Sequence, residues 1–229
     1  MNARATVTQG FFTGSQPCSC KALTHVPRFV VVTGGPGAGK TAVLELVRRT
    51  LCIHIAVLPE SASILFSGGF PRFDSSAGKR AGQRAIFRVQ RELERLAKTE
   101  LQVGLALCDR GTLDGLAYWP DDEAAFFEQL DTDQQAELAR YDAVIHLRTP
   151  KPGVYNHSNP VRTESAAEAA RIDERIERAW DGHPRRFFVE STPDFVEKAT
   201  RAVEVIRGEL PVCCGGAMPP APPLPSTTP

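Results

Sequence analysis

Short apolar runs alternate along the chain with helix-length stretches in which apolar positions recur every three or four residues. Residues 29–32 (FVVV) form a run of the kind buried on both faces of a sheet. A glycine-rich turn follows, then a helical pattern through Val43, Leu44, Val47 and Leu51. Residues 52–58, 101–108, 143–147 and 187–189 read as further strands. Helical patterns occupy 83–100, with Ile86, Val89, Leu93 and Leu96 on one face, and also 164–180 and 194–207. Strands alternating with helices predict an α/β fold: a three-layer, mostly parallel sheet with helices on both faces, and a ligand site outside the carboxyl ends of its strands.

Residues 1–27 show neither period and read as a flexible segment. Residues 211–229 are rich in Pro, Gly and small side chains and read as a disordered tail, whose PPAPPLP run is a possible polyproline ligand. The folded domain is expected between them, at 28–210. No internal repeat is found.

With 229 residues, 42% hydrophobic and 24% charged, the chain has the composition of a globular protein. A domain of this length can bury roughly 70% of its unfolded surface and needs no disulfide staple. The net charge is zero, from 27 bases and 27 acids, which argues against generic DNA binding. The balance is regional: residues 1–44 carry four bases and no acid, while 101–147 carry ten acids and two bases. No apolar run reaches the length of a membrane span. The six cysteines follow no secretory hydrophobic segment, so reduced thiols in a cytoplasmic setting are expected; the acid-free start only faintly resembles a transit peptide. Cys18-x-Cys20 and Cys213-Cys214 could in principle form a four-thiolate zinc site across the ends, but neither has the usual spacer. The five histidines form no metal spacing.

The sharpest signal is Gly34-Gly35-Pro36-Gly37-Ala38-Gly39-Lys40-Thr41, which satisfies G-x-x-x-x-G-K-[ST] between a strand and a helix. Glycines let successive amides approach phosphate oxygens, and the helix N-terminus adds partial positive charge. Gly35, Pro36, Gly37, Ala38, Gly39, Lys40, Thr41 and Ala42 are therefore the expected nucleotide-binding residues. Lys40 is expected at the β- and γ-phosphates and the Thr41 hydroxyl on Mg²⁺.

Such a site needs a second acid at a neighbouring strand end. Asp109 stands where the run LALC stops and is the candidate metal ligand, followed by Arg110, placed to stabilise charge on a transferring phosphoryl group. A strand-end cap with an ion pair is the alternative for both. Glu60 ends the second strand and is a candidate general base or water holder, or else an N-cap or first-turn acid of the next helix.

GGPGAGKT, LPES, LCDRG, YDAVIHL and NPVRTESAAEAARIDERIERAW together resemble the P-loop family that groups NadR-type ribosylnicotinamide kinase domains with TRPL-translocation-defect-like proteins, a compact AAA-type ATP-binding domain. The resemblance covers about 28–208 and extends to nucleoside and nucleotide kinases. It implies Glu60 as base, with Asp109 and Arg110 as the acid–arginine pair. The chain is too short for the helical lid subdomain of ring ATPases, so no ring hexamer is expected.

Arg84, Arg88, Arg91, Arg95 and Lys98 form one basic stripe on the 83–100 helix. In a kinase the stretch between the second and third strands helps build the acceptor site, so Arg72, Arg84 or Arg88 could hold an anionic acceptor and Gln90 a base or amide edge. The stripe could instead face an anionic lipid or a protein partner, or be a solvated face with pairs such as Glu94 to Lys98. Residues 149–170 read as a mobile lid carrying Arg162, with Arg171, Arg175 and Arg178 on the next helix; these either close over the γ-phosphate or remain surface charge. Tyr118, Trp119 and Trp180 are expected in the core, and Asp121, Asp122 and Glu123 in a first helical turn.

The sequence thus predicts a Mg²⁺-dependent phosphotransferase acting from ATP on a small hydroxyl acceptor such as a nucleoside or nucleotide. A nucleotide-dependent regulatory NTPase with an anionic partner is the alternative. GTP remains possible, although no Asn-Lys-x-Asp guanine signature occurs.

Overall fold

The computed structural model describes residues 11–20, 25–150 and 165–215. Its strands are β1 (Phe12–Thr13), β2 (Arg28–Thr33), β3 (Ile55–Leu58), β4 (Leu105–Asp109), β5 (Ala143–Leu147) and β6 (Arg186–Val189). They form one sheet in the order β1-β3-β4-β2-β5-β6, parallel except for β1, which pairs antiparallel with β3. β2 is central and the chain departs to either side of it. The turns after β2, β3, β4 and β5 therefore gather at one edge, where a crevice opens.

Period-two alternation on strands apolar on both faces builds two cores. Val30 and Val32 point to one side and meet Val43 and Val47 of α1 (Lys40–Thr50) and Ala202 and Ile206 of α7 (Phe195–Gly208). Val31 points to the other side and shares a cluster with Ala97 of α3 (Ser76–Glu100), Leu113 of the 3₁₀ segment Thr112–Tyr118, and Ile176 of α6 (Ala166–Ala179). Trp180 is fully buried there, edge-on to Tyr141 at 5.3 Å. Trp119 is buried as expected, against Phe126 of α4 (Glu123–Leu130). Asp122 caps α4 through the Ala125 amide.

Several elements differ from the sequence pattern. α3 begins seven residues early, at Ser76, with Ser75 accepting from Gly78 N; Gly78 and Gly82 had weakened the helical signal there. Its most buried positions are Gly82, Phe87, Gln90, Glu94 and Ala97, not the Ile86–Leu96 stripe, and Leu96 is exposed. Glu94 is therefore no surface partner of Lys98. It accepts from Gln90, Tyr141 and Arg140, a network that satisfies a buried acid no hydropathy pattern would place inside. β3 starts at Ile55 because residues 52–54 form a turn closed by Ile55 N donating to Cys52 O at 3.1 Å. β1 lies in the segment read as patternless; two residues are too few to show a period.

Arg162 and the PPAPPLP run, residues 219–225, lie outside the described residues. Among the described residues no helix is long and apolar enough to cross a membrane.

Candidate functional site

The loop from Gly34 to Gly39 turns between β2 and α1 in a conformation glycine alone adopts easily. Gly39 has φ +91°, and a Cβ there would stand 2.6 Å from the Phe195 ring. A Cβ at Gly35 would stand 2.5 Å from Thr149 Oγ1 and 2.9 Å from Asp173 Cβ. The Lys40 ammonium folds back on the loop, donating to Gly34 O at 2.7 Å and Gly35 O at 3.1 Å. Burial and the nearby Arg110 push it down to about 8, against the pull of Asp109, Glu60 and Asp114. Thr41 and Ala42 are exposed at the mouth of α1.

The structure brings Glu60, Asp109 and Arg110 around this loop, at adjacent strand ends. Arg110 has φ +74°, a left-handed conformation uncommon outside glycine, and its guanidinium spans the site. It donates from Nε to Glu60 at 2.7 Å and from Nη1 to Asp114 at 3.3 Å, and lies 5.7 Å from the Tyr118 ring centroid. Burial alone would lower the affinity of Arg110 for its proton; Tyr118, Asp114, Glu60 and Asp109 outweigh that and raise it. Burial likewise pushes Glu60 up, but Arg110, the Ser63 hydroxyl and Lys40 overcome it and hold the carboxyl below its usual range. Glu60 also stands at the N-cap of α2 (Ser61–Ser67), where its side chain makes no capping hydrogen bond to the helix backbone and is turned to Arg110 and Ser63 instead.

Asp109 behaves oppositely. Burial, with Glu60 and Asp114 adding and Lys40 and Arg110 opposing, pushes it up to about 6. Its Oδ1 is buried without a hydrogen-bond partner among the described residues. An orphaned carboxylate oxygen beside the phosphate loop fits a divalent cation, for which Thr41 supplies an exposed hydroxyl.

Three residues that sequence reasoning missed hold the loop in place. Asp173 of α6 accepts from Gly35 N at 2.6 Å, Thr149 N at 3.2 Å and His146 Nε2 at 2.9 Å. Burial raises its pKa, but these partners overcome that and hold it low. Lys198 of α7 donates to Ala38 O at 2.8 Å and Arg148 O at 2.5 Å, with burial pushing it down to about 8. Asp114 accepts from Thr33, Gly111 N and Trp180 Nε1, joining the end of β2 to the segment after β4. One signal was available: Asp173 interrupts the apolar stripe of Ala169, Ile176 and Trp180, the position of an acid with a buried partner.

The AAA domain family AAA_28 matches residues 29–198. The chain belongs to this family. Among solved structures, the NadR protein in complex with NR superposes with a TM-score of 0.63 at 17% identity, covering 81% of this chain and 52% of that one. The NadR protein in complex with NAD and AMP-PNP gives 0.57 at 15%, covering 81% and 50%. This AAA-type chain thus spans about half the length of those structures and shares their fold. No curated protein matches in sequence.

Beside the phosphate loop of this AAA-type domain lies a cavity of about 380 Å³ between α2, α3 and the 3₁₀ segment, lined by Pro36, Glu60, Phe66, Arg72, Gln83 and Tyr118 among others. Gln90 also lines it, with its amide held by Ser61 and Glu94. Arg84 and Arg88 do not line it. They reach the α4 segment, at Gln129 Oε1 and Leu130 O. Arg91 pairs with Glu137 of α5 (Gln134–Leu138) at 2.6 Å and Arg95 with Glu92. Much of the basic stripe is thus spent on neighbouring elements of the fold. Arg175 donates to the carbonyls of Leu116 and Trp119, away from the phosphate loop, and Arg171 is exposed.

Proposed function

We propose that this domain is a Mg²⁺-dependent phosphotransferase that moves the γ-phosphoryl group of ATP to a hydroxyl of a nucleoside-like acceptor. The observation that carries the reading is the cavity that runs from Pro36 of the phosphate loop to Glu60 and Arg110. A hydrolytic switch needs room for a water beside the γ-phosphate, whereas about 380 Å³ suits a small organic acceptor. Phe66, Phe87 and Tyr118 in its walls suit a flat base, and Arg72, 5.0 Å above the Phe66 ring, suits an anionic group on the acceptor. The NR bound to a NadR neighbour supports that acceptor class.

In this reading the loop amides and Lys40 bind the β- and γ-phosphates, releasing Lys40 from the Gly34 and Gly35 carbonyls. Asp109 and Thr41 would hold Mg²⁺, which when bound neutralises charge on the phosphate oxygens. Glu60, ionised at neutral pH, orients the acceptor hydroxyl and takes its proton. Arg110, already joined to Glu60, stabilises charge on the transferring group. Purified protein incubated with γ-labelled ATP, Mg²⁺ and a panel of nucleosides and nucleotides should label one acceptor class. No labelled acceptor from any member of the panel would overturn the proposal.

A further inference from the structure

The described parts of both chain ends converge where α1 finishes and β3 begins, the end of the sheet away from the phosphate loop. Ser15 N donates to Arg48 O at 2.8 Å, and Gln16 bridges Cys52. Pro211 lies so close to Gly104 that a Cβ there would stand 2.4 Å from its ring. Between these segments the turn Cys52-Ile53-His54 is held rigid, because His54 O accepts from Gly104 N at 2.8 Å and Leu105 N at 3.2 Å.

This arrangement gathers ligands that are scattered in sequence. The sulfurs of Cys18, Cys52 and Cys214 and a ring nitrogen of His54 all lie within 4.8 Å of one another. Cys214 Sγ is 3.3 Å from His54 Nδ1 although 160 residues separate them. All three cysteines are free thiols, and Cys52 is buried. Ligand atoms around a tetrahedral zinc, with bonds of about 2.3 Å to sulfur and about 2.0 Å to nitrogen, sit roughly 3.5–4 Å apart. A contraction of about 1 Å or less would close the site around an ion, and soft thiolates select zinc over hard cations such as Mg²⁺.

We propose that Cys18, Cys52, His54 and Cys214 bind one structural zinc ion that fastens both chain ends to the base of the sheet. Four protein ligands leave no open position, so the ion has no catalytic role. Each thiol releases its proton to solvent as its zinc–sulfur bond forms. This ligand set differs from the four-thiolate pairing of Cys18-x-Cys20 with Cys213-Cys214 that the sequence offers. Cys213 is exposed, its Sγ 4.0 Å from Cys214 Sγ, and it belongs to neither cluster of potential ligands, whereas the internal Cys-x-His turn supplies a second pair. Two of the histidines, dispersed in sequence, meet in space: His25 lies edge-on to His54 at 4.7 Å, and Cys20, His25, His54 and Cys214 form a neighbouring set of similar span. The three-thiol set is preferred because Cys52 and His54 share one rigid turn.

The test is the zinc content of the full chain by mass spectrometry, with nucleotide binding as the measure of folding. Wild-type protein should carry one zinc per chain, and cobalt substitution should give thiolate-to-cobalt charge-transfer absorption. Cys18→Ser and Cys214→Ser should lower zinc to about one-tenth or less and still bind nucleotide, while Cys213→Ser and Cys20→Ser should keep it. Folded wild-type protein without zinc, a Cys18–Cys214 disulfide, or zinc kept by Cys18→Ser and lost by Cys20→Ser would each overturn the assignment.

Discussion

Arg110 donates from Nε to Glu60 Oε1 at 2.7 Å, an ion pair that joins the ends of two adjacent parallel strands beside the phosphate loop. The guanidinium fixes Glu60 in the direction of the cavity and keeps it ionised. A carboxylate so paired is a weak base, which suits phosphoryl transfer, where positioning matters more than early proton removal. Glu60→Gln keeps the shape and removes the charge. It should lower the transfer rate by about 10²–10⁴-fold while ATP affinity changes only a few-fold. Single-turnover transfer and equilibrium nucleotide binding, measured side by side, check this.

Acid should switch the site off. Asp109 is pushed up to about 6, so protonation below that pH removes the charge offered to Mg²⁺, and the rate at limiting Mg²⁺ should fall as pH drops through 6. The alkaline limb belongs to Lys40. Held near 8 before nucleotide binds, it loses its charge as pH rises, so kcat/KM for ATP should fall above about 8 while kcat holds, because bound phosphates raise its pKa again. A pH profile of both parameters separates the limbs.

The same shift at Asp109 has a stability consequence of known sign. Its folded pKa lies above its unfolded value, so the folded state binds the extra proton between pH about 4 and 6, and ionisation above that range costs stability. Asp109→Asn should therefore stabilise the nucleotide-free protein near neutral pH, by about 1–3 kcal/mol. It should also weaken Mg²⁺-dependent nucleotide binding. Denaturant titrations at pH about 7.5 and about 4 should show the gain at the first and little at the second.

Asp173 should act on the phosphate loop without touching nucleotide. Asp173→Asn replaces one of two acceptor oxygens by a donor among the amides of Gly35 and Thr149 and the His146 ring, and should cost about 1–3 kcal/mol of stability. ATP affinity should fall with it, since the loop loses its anchor. Thermal melting with and without ATP reads both effects.

Trp180→Ala should destabilise the fold by about 3–5 kcal/mol, because the ring is fully buried and its Nε1 also holds Asp114. Denaturant unfolding gives the difference. Trp180→Phe should recover most of the packing but not the Asp114 hydrogen bond.

The strands and the phosphate loop were legible because their signals are local: short continuous apolar runs, and a glycine pattern between a strand and a helix. Asp109, Arg110 and Glu60 were legible because parallel topology brings strand ends to one edge. What escaped is non-local. Asp173 meets Gly35 across 138 residues and Lys198 meets Ala38 across 160. The basic stripe on α3 shows the reverse limit. Its spacing was read correctly, but only packing reveals that Arg88 and Arg91 face the α4 and α5 segments. The burial of Gln90 and Glu94 was hidden for the same reason: a satisfied buried polar pair looks in sequence like a solvent face.

In the proposed reaction the cavity beside Glu60 takes an acceptor hydroxyl, not water alone. The most direct measurement is the partition of labelled γ-phosphate between acceptor and free phosphate, with the best acceptor of the panel, for the wild type and Glu60→Gln. Transfer should exceed hydrolysis in the wild type, and Glu60→Gln should lose transfer selectively. Release only to water in the wild type, with every acceptor tested, would contradict it.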